Sequence, residues 1–204
     1  NTNLCTAVAF LVWVALDYAT GRKPSLIGSV NGMIVGLVAI TPAAGFVNGW
    51  GAMIIGIVAS ALVYFALNYL SRTALFRNVD DTLGVIYTHG FAGVAGGLLV
   101  GIFANKTMAG GHEGLISGGG LHLFWVQAYT AAWVIAFSAI GTFVLLKIVG
   151  LFVPLRMSEA DMETGDIAVH GHEVYPSDVP SLGYPDGIKA GGAPGAAAPA
   201  PGTV

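Results

Sequence analysis

Charge is scarce in this sequence. Of 204 residues only 9% are Asp, Glu, Lys or Arg, against 55% hydrophobic, and the mean hydropathy is +0.75. Soluble domains run near one quarter charged, so a water-facing globular surface is excluded. Cysteine is nearly absent too. The single Cys5 excludes an intrachain disulfide framework and any metal or iron–sulfur site built on several thiolates. No basic patch suggests nucleic acid, and no short repeat suggests a solenoid. Haem, zinc and nucleophile-triad readings are weak, because no HxxxH, CxxC or paired-carboxylate spacing occurs in the apolar body. Glycine, by contrast, is plentiful, with 30 residues. It weakens helices in water yet lets backbones approach closely in lipid. The composition is that of a polytopic membrane protein.

Five apolar stretches are long enough to cross a bilayer, which takes about 20 residues at about 1.5 Å rise each. They run near Thr2–Ala19, Ser25–Phe46, Ala52–Leu70, Leu83–Ala104 and Leu121–Val153. An open sheet cannot satisfy its backbone in lipid, so the expected fold class is all-α, a membrane helix bundle over residues 1–153. The fifth run is longer than a bilayer requires and should tilt or extend past the headgroups.

Charge placement orients the spans. Through Val153 six basic residues face four acidic ones, a net of +2; from Pro154 on, two basic residues face seven acidic ones, a net of −5. A membrane body is thus followed by an acidic soluble tail. Arg22 and Lys23 lie between spans one and two, Arg72 and Arg77 between three and four, and Arg156 just after span five. The positive-inside bias makes these connections cytoplasmic, so Asn1 is expected outside and the tail inside. The glycine-rich segment 110–120 is then an outer loop, and without basic residues it is a surface loop rather than a phosphate cradle. Residues 154–175 are polar; 176–204 are dominated by Gly, Ala and Pro and are expected to be disordered. Asn1 is preceded by no initiator Met and followed by no cleavable signal pattern, so the chain is expected to be the later part of something longer.

Ionisable groups within spans are costly and are functional candidates by default. Asp17 lies near the inner end of span one and is expected to pair with Arg22 and Lys23 at the interface; Lys147, near the inner end of span five, is expected to snorkel. His89 differs. It lies about six residues into span four, roughly 10 Å below the inner surface, among Gly90, Gly93, Gly96, Gly97 and Gly101. A neutral imidazole has one donor and one acceptor nitrogen, and can hold a small polar solute or pass a proton without a permanent charge. The alternative is a packing histidine bonded to a neighbouring helix. His122 starts span five on the outer side, half a membrane away from His89, and His112 lies in an outer loop, so no haem pair is expected. In span two, Pro42 cannot donate to the helical ladder, and Thr41 supplies a hydroxyl at the same depth. A simple kink is the expected outcome there, with a polar notch as the alternative.

Four blocks closely resemble the ammonium transporters of the Amt/Mep/Rh superfamily. They are Gly21–Ser25 leading to Gly36–Gly45, with its Thr41-Pro42-Ala43-Ala44-Gly45 segment; Val79–Val85; Thr88–Gly97; and the tail motif His170–Tyr175. The resemblance implies an eleven-helix fold of two inverted halves, assembled as a homotrimer, of which this chain matches helices seven to eleven plus the tail. It implies that His89 is the second of two facing pore histidines, that Val85 is a hydrophobic pore-lining position and that Thr41 lies near the pore. It further implies transport of ammonium (methylammonium serving as analogue) rather than enzyme catalysis, no cofactor, and a cytoplasmic tail able to dock a PII-type signalling protein. Two positions depart from the pattern. Many members have an aspartate where this chain has Gly84, and its branch usually has Glu where this chain has His172. The alternative readings are an ammonium sensor whose output is the tail, a purely structural membrane domain, and a redox protein needing a cofactor.

Overall fold

The computed structural model describes residues 1–171. The expected disordered segment 176–204 and the later part of the tail motif, His172–Tyr175, lie outside the described residues. The chain divides into two compact units, the first Asn1–Ile140 and the second beginning at Gly141. Among the described residues it is helical throughout, with one isolated bridge between Val47 and Ala104.

In the first unit, α1 (Thr2–Ala19), α2 (Leu26–Ile40) and α3 (Gly49–Asn68) pack on one another. The second and third begin at residues whose side chains satisfy a free amide. Ser25 Oγ accepts from the Gly28 amide at 3.0 Å to cap α2, and Asn48 Oδ1 accepts from the Gly51 amide at 2.9 Å to cap α3. A Schellman closure ends α1, with the Arg22 amide donating to the Asp17 carbonyl at 2.8 Å and the Gly21 amide to Tyr18 at 3.1 Å. Lipid gives apolar helices no hydrophobic reason to associate, so close packing and interhelical hydrogen bonds must hold them. Both are present. A Cβ at Gly36 would fall 2.7 Å from Thr6 Cα, and one at Gly56 2.8 Å from the Cys5 carbonyl, so α2 and α3 approach α1 backbone to backbone. The buried Cys5 thiol donates to the Gly36 carbonyl at 3.3 Å and the Ser60 hydroxyl to the Ala9 carbonyl at 2.7 Å.

The second apolar stretch is shorter as a helix than expected. It stops at Ile40, and successive turns carry the chain to Val47. Pro42 is the reason. The Val38 carbonyl, left without a Pro42 donor, is taken by the Thr41 amide at 3.2 Å. That in turn frees the Leu37 carbonyl, which the Thr41 hydroxyl takes at 2.8 Å. The Leu37 and Val38 carbonyls are therefore re-satisfied within their own turn.

The fourth span, Ile86–Phe103, joins a π-helical turn, Ile86–Phe91, to α4 (Ala92–Phe103). Backbone contact sets its position. A Cβ at Gly96 would overlap the Ala39 carbonyl of α2, so only glycine allows this approach. After α4 the glycine-rich loop is fastened to the helix end, with the Gly114 amide donating to the Ala104 carbonyl at 2.9 Å and the Ser117 hydroxyl to the same oxygen at 2.8 Å. The last long helix, α5 (His122–Val149), has 28 residues and no buried side chain. At about 1.5 Å per residue it is about 42 Å long, beyond the hydrocarbon thickness of about 30 Å. Among the described residues four helical segments are thus long and apolar enough to cross a membrane, with α2 as a shorter apolar companion.

In the second unit, Lys147 Nζ lies 5.5 Å from the centre of the Phe143 ring. Two short helices follow, α6 (Glu159–Thr164) and α7 (Asp166–His170). Ser158 caps α6, accepting from the Asp161 amide at 3.1 Å. The Arg156–Glu159 ion pair beside it is 3.2 Å long and largely exposed, so it contributes little.

Candidate functional site

Three expected site residues are His89, Val85 and Thr41, and the geometry around His89 is built from Asp81 upward. The first amides of a helix lack partners within it. The Asp81 carboxylate supplies two of them, accepting from the Val85 amide at 2.7 Å and the Ile86 amide at 2.9 Å. Between acceptor and donors the chain must turn sharply, and Gly84 does so with φ +67°. A Cβ there would also come 2.9 Å from Leu67 Cδ1. The positive φ is what favours glycine here, since the Leu67 methyl is the end of a flexible side chain and could give way.

The π turn then distributes the side chains. Tyr87 is buried and stacks on Phe91 at 6.0 Å between ring centres, with Phe76 against both rings. Thr88 is buried at 2% exposure, and His89, the next residue, is exposed. The Thr88 hydroxyl lies 2.9 Å from the Gly84 carbonyl and 2.9 Å from His89 Nδ1. Turns of this wide kind are rare and recur at functional sites.

Val85 and His89 are four residues apart and share one helix face, on which Val85 is 47% exposed. Gly93 and Gly97 continue that face at the same spacing. A Cβ at Gly97 would meet nothing within 4 Å, and one at Gly93 only Val38 Cγ1 at 3.8 Å. Beyond the imidazole the face therefore carries no side chain, leaving a bare lane along the helix. Thr41 is exposed, with its hydroxyl spent on Leu37, and among the described residues no hydrogen bond joins it to His89 or Val85. The structure thus brings Val85 and His89 together and does not link Thr41 to them.

The other titratable candidates have different surroundings. Asp17 is not paired with Arg22 or Lys23 at an interface. It is buried at 6% exposure, and its Oδ1 accepts from the Tyr64 hydroxyl of α3 at 3.1 Å. Thr20 Oγ1 lies 2.7 Å from the same hydroxyl. Arg22, past the end of α1, instead donates to Asn68 Oδ1 and lies 5.6 Å from the Tyr69 ring centre. Asp17 is thus a tie between α1 and α3. An apolar groove of about 460 Å³ is lined by Leu62, Ile86, Gly90, Phe91, Val94, Ala95, Leu98 and Ile135, without His89. With no polar group in its wall it could not orient a polar solute. Among the described residues no three His, Cys, Asp or Glu side chains converge as metal ligands would.

Sequence reasoning singled out His89 and missed its neighbour. Thr88 directly precedes the histidine in an apolar run, and Asp81 stands four residues before Val85; these were the available signals.

The profile described as the Ammonium Transporter Family matches residues 1–175. "Ammonium transporter 3 member 2" of Oryza sativa subsp. japonica is 43% identical over 183 residues, covering 86% of this chain and 38% of the relative. "Ammonium transporter 2 member 1" of the same organism is 43% identical over 182 residues, covering 86% and 37%. Among solved structures, the Mep2 mutant delta442 from Candida albicans matches with a TM-score of 0.65 and 34% identity, covering 76% of this chain and 39% of that one. This chain spans about two fifths of the length of these proteins.

Proposed function

Because the chain belongs to the ammonium transporter family, we propose that its protein moves ammonium across the bilayer, with ammonia passing His89 along the lane beyond it while the imidazole takes up or relays the proton that ammonium gives up. The observation that carries this reading is the exposed imidazole on a helix face that is otherwise apolar or bare (Val85, Gly93, Gly97). A hydrated cation is costly to carry intact through hydrocarbon, by several kcal/mol even after relaxation. Ammonia is small and neutral, and one imidazole nitrogen can hold it through a hydrogen bond without adding fixed charge. Val85, one turn before His89, keeps the approach apolar. Thr41, expected near the pore, has its hydroxyl spent on the Leu37 carbonyl and is given no part in holding the solute.

On the same reading the lane is closed by the part of the relatives that this chain does not match, including a second histidine opposite His89. The protein assembles as a homotrimer, with Asn1 outside and the tail after Pro154 in the cytoplasm, where a PII-type partner could dock. Growth tests the proposal. The full-length protein should restore growth on limiting ammonium to cells lacking their own ammonium transporters. Correctly inserted protein that restores no growth would refute it.

A further inference from the structure

We propose that the last two turns of α1 and the first turn of α2 hold a bound water molecule, which accepts from the Trp13 indole and donates to Asp17 Oδ2 and Ser25 Oγ. These three polar atoms converge on the flank of Gly28. Measured from the point where a Cβ would stand on that glycine, Ser25 Oγ lies at 3.0 Å, Trp13 Nε1 at 3.0 Å and Asp17 Oδ2 at 3.5 Å. One small molecule beside Gly28 can therefore reach all three.

Two of the atoms are buried and unserved by the protein. Trp13 is 2% exposed and Asp17 6%. Tyr64 fixes both residues, standing edge-on to the indole at 5.2 Å between ring centres and donating to Asp17 Oδ1 at 3.1 Å. Among the described residues, however, no group accepts from the indole N–H and none donates to Oδ2. Neither atom is sealed off, because among the described residues no side-chain nitrogen or oxygen is both closed to solvent and without a partner. Each thus borders a space that a water can touch. Ser25 forms the rim. It is exposed, and its oxygen accepts from the Gly28 amide at 3.0 Å, with a second lone pair left over.

The chemistry of the three atoms selects the occupant. Water meets one donor and two acceptors with three hydrogen bonds, the usual number for a buried water. A cation such as ammonium does not fit, since the indole N–H needs an acceptor and ammonium has no lone pair. An anion would face the Asp17 carboxylate. With the water in place Asp17 becomes a hub. Its Oδ1 ties α1 to α3 through Tyr64, and its Oδ2 ties α1 to the capped start of α2. This assignment does not depend on what the protein transports.

The test is solid-state NMR of the full-length protein in bilayers with ¹⁵N-labelled tryptophan, Trp13 being assigned by the signal missing from Trp13→Phe. The wild-type indole proton should show a through-space cross-peak to water. Gly28→Ala, whose methyl group takes the space, should lose that cross-peak, although helix propensity alone favours alanine at this position. A wild-type indole proton without a water cross-peak, or bonded instead to the Asp17 carboxylate, overturns the proposal without recourse to any variant that might fail to fold. A water cross-peak of equal strength in folded Gly28→Ala overturns it too.

Discussion

Two adjacent stripes of the fourth span are built from similar residues and do opposite work. Gly84, Thr88, Ala92, Gly96 and Val100 recur every four residues and are all buried. Val85, His89, Gly93 and Gly97, each one residue later, are exposed or half-buried. Each stripe has one polar side chain set among small or aliphatic residues. In the buried stripe the hydroxyl bonds back into its own turn, and glycine admits a neighbouring backbone. In the open stripe the ring keeps one nitrogen unspent, and glycine admits nothing from this chain. Composition alone would not separate the two; the side of the helix does. A polar group surrounded by protein stabilises the fold, whereas one beside an unfilled lane is available to a solute.

The largest expected effect breaks the buried stripe. Gly96→Val would drive a side chain into the Ala39 carbonyl. Overpacking of this kind costs about 1–3 kcal/mol and occasionally more, so the folded yield after detergent extraction should fall sharply. A normal yield would mean that α2 and α4 do not meet there. Next comes the open stripe. Gly97→Val adds its side chain to empty space, so thermal unfolding should hold while methylammonium uptake drops as the lane narrows. Uptake at the wild-type rate would place the pathway elsewhere. The smallest effect is at the shared foundation. Asp81→Ala removes an acceptor from the Val85 and Ile86 amides, and lost caps of this kind typically cost about 1 kcal/mol. Thermal melting should register that as a modest decrease; an unchanged midpoint would show that the carboxylate is dispensable.

Legibility in the sequence followed the range of the interactions. The first span was expected over Thr2–Ala19 and is a helix over those residues, because apolar length and the following Gly21-Arg22 turn are local features. Pro42 marked the place of the interruption in span two for the same reason, but a kink was expected there, whereas the helix ends at Ile40 and turns follow. His89 was recognisable as a costly polar residue within an apolar run. Its contact with the Thr88 hydroxyl was not, since whether neighbouring side chains meet depends on the π turn, which no local propensity signals. Asp17 was misjudged because its partner, Tyr64, lies 47 residues away, whereas Arg22 and Lys23 stand close by in the chain. Long-range packing overrode the nearest opposite charge.

The central claim is that the His89 ring itself contacts the transported solute, and uptake of labelled methylammonium into proteoliposomes tests it most directly. Compared at equal amounts of folded, inserted protein, His89→Ala should fall to the rate of protein-free vesicles while melting at the wild-type temperature. Uptake at the wild-type rate would contradict the account.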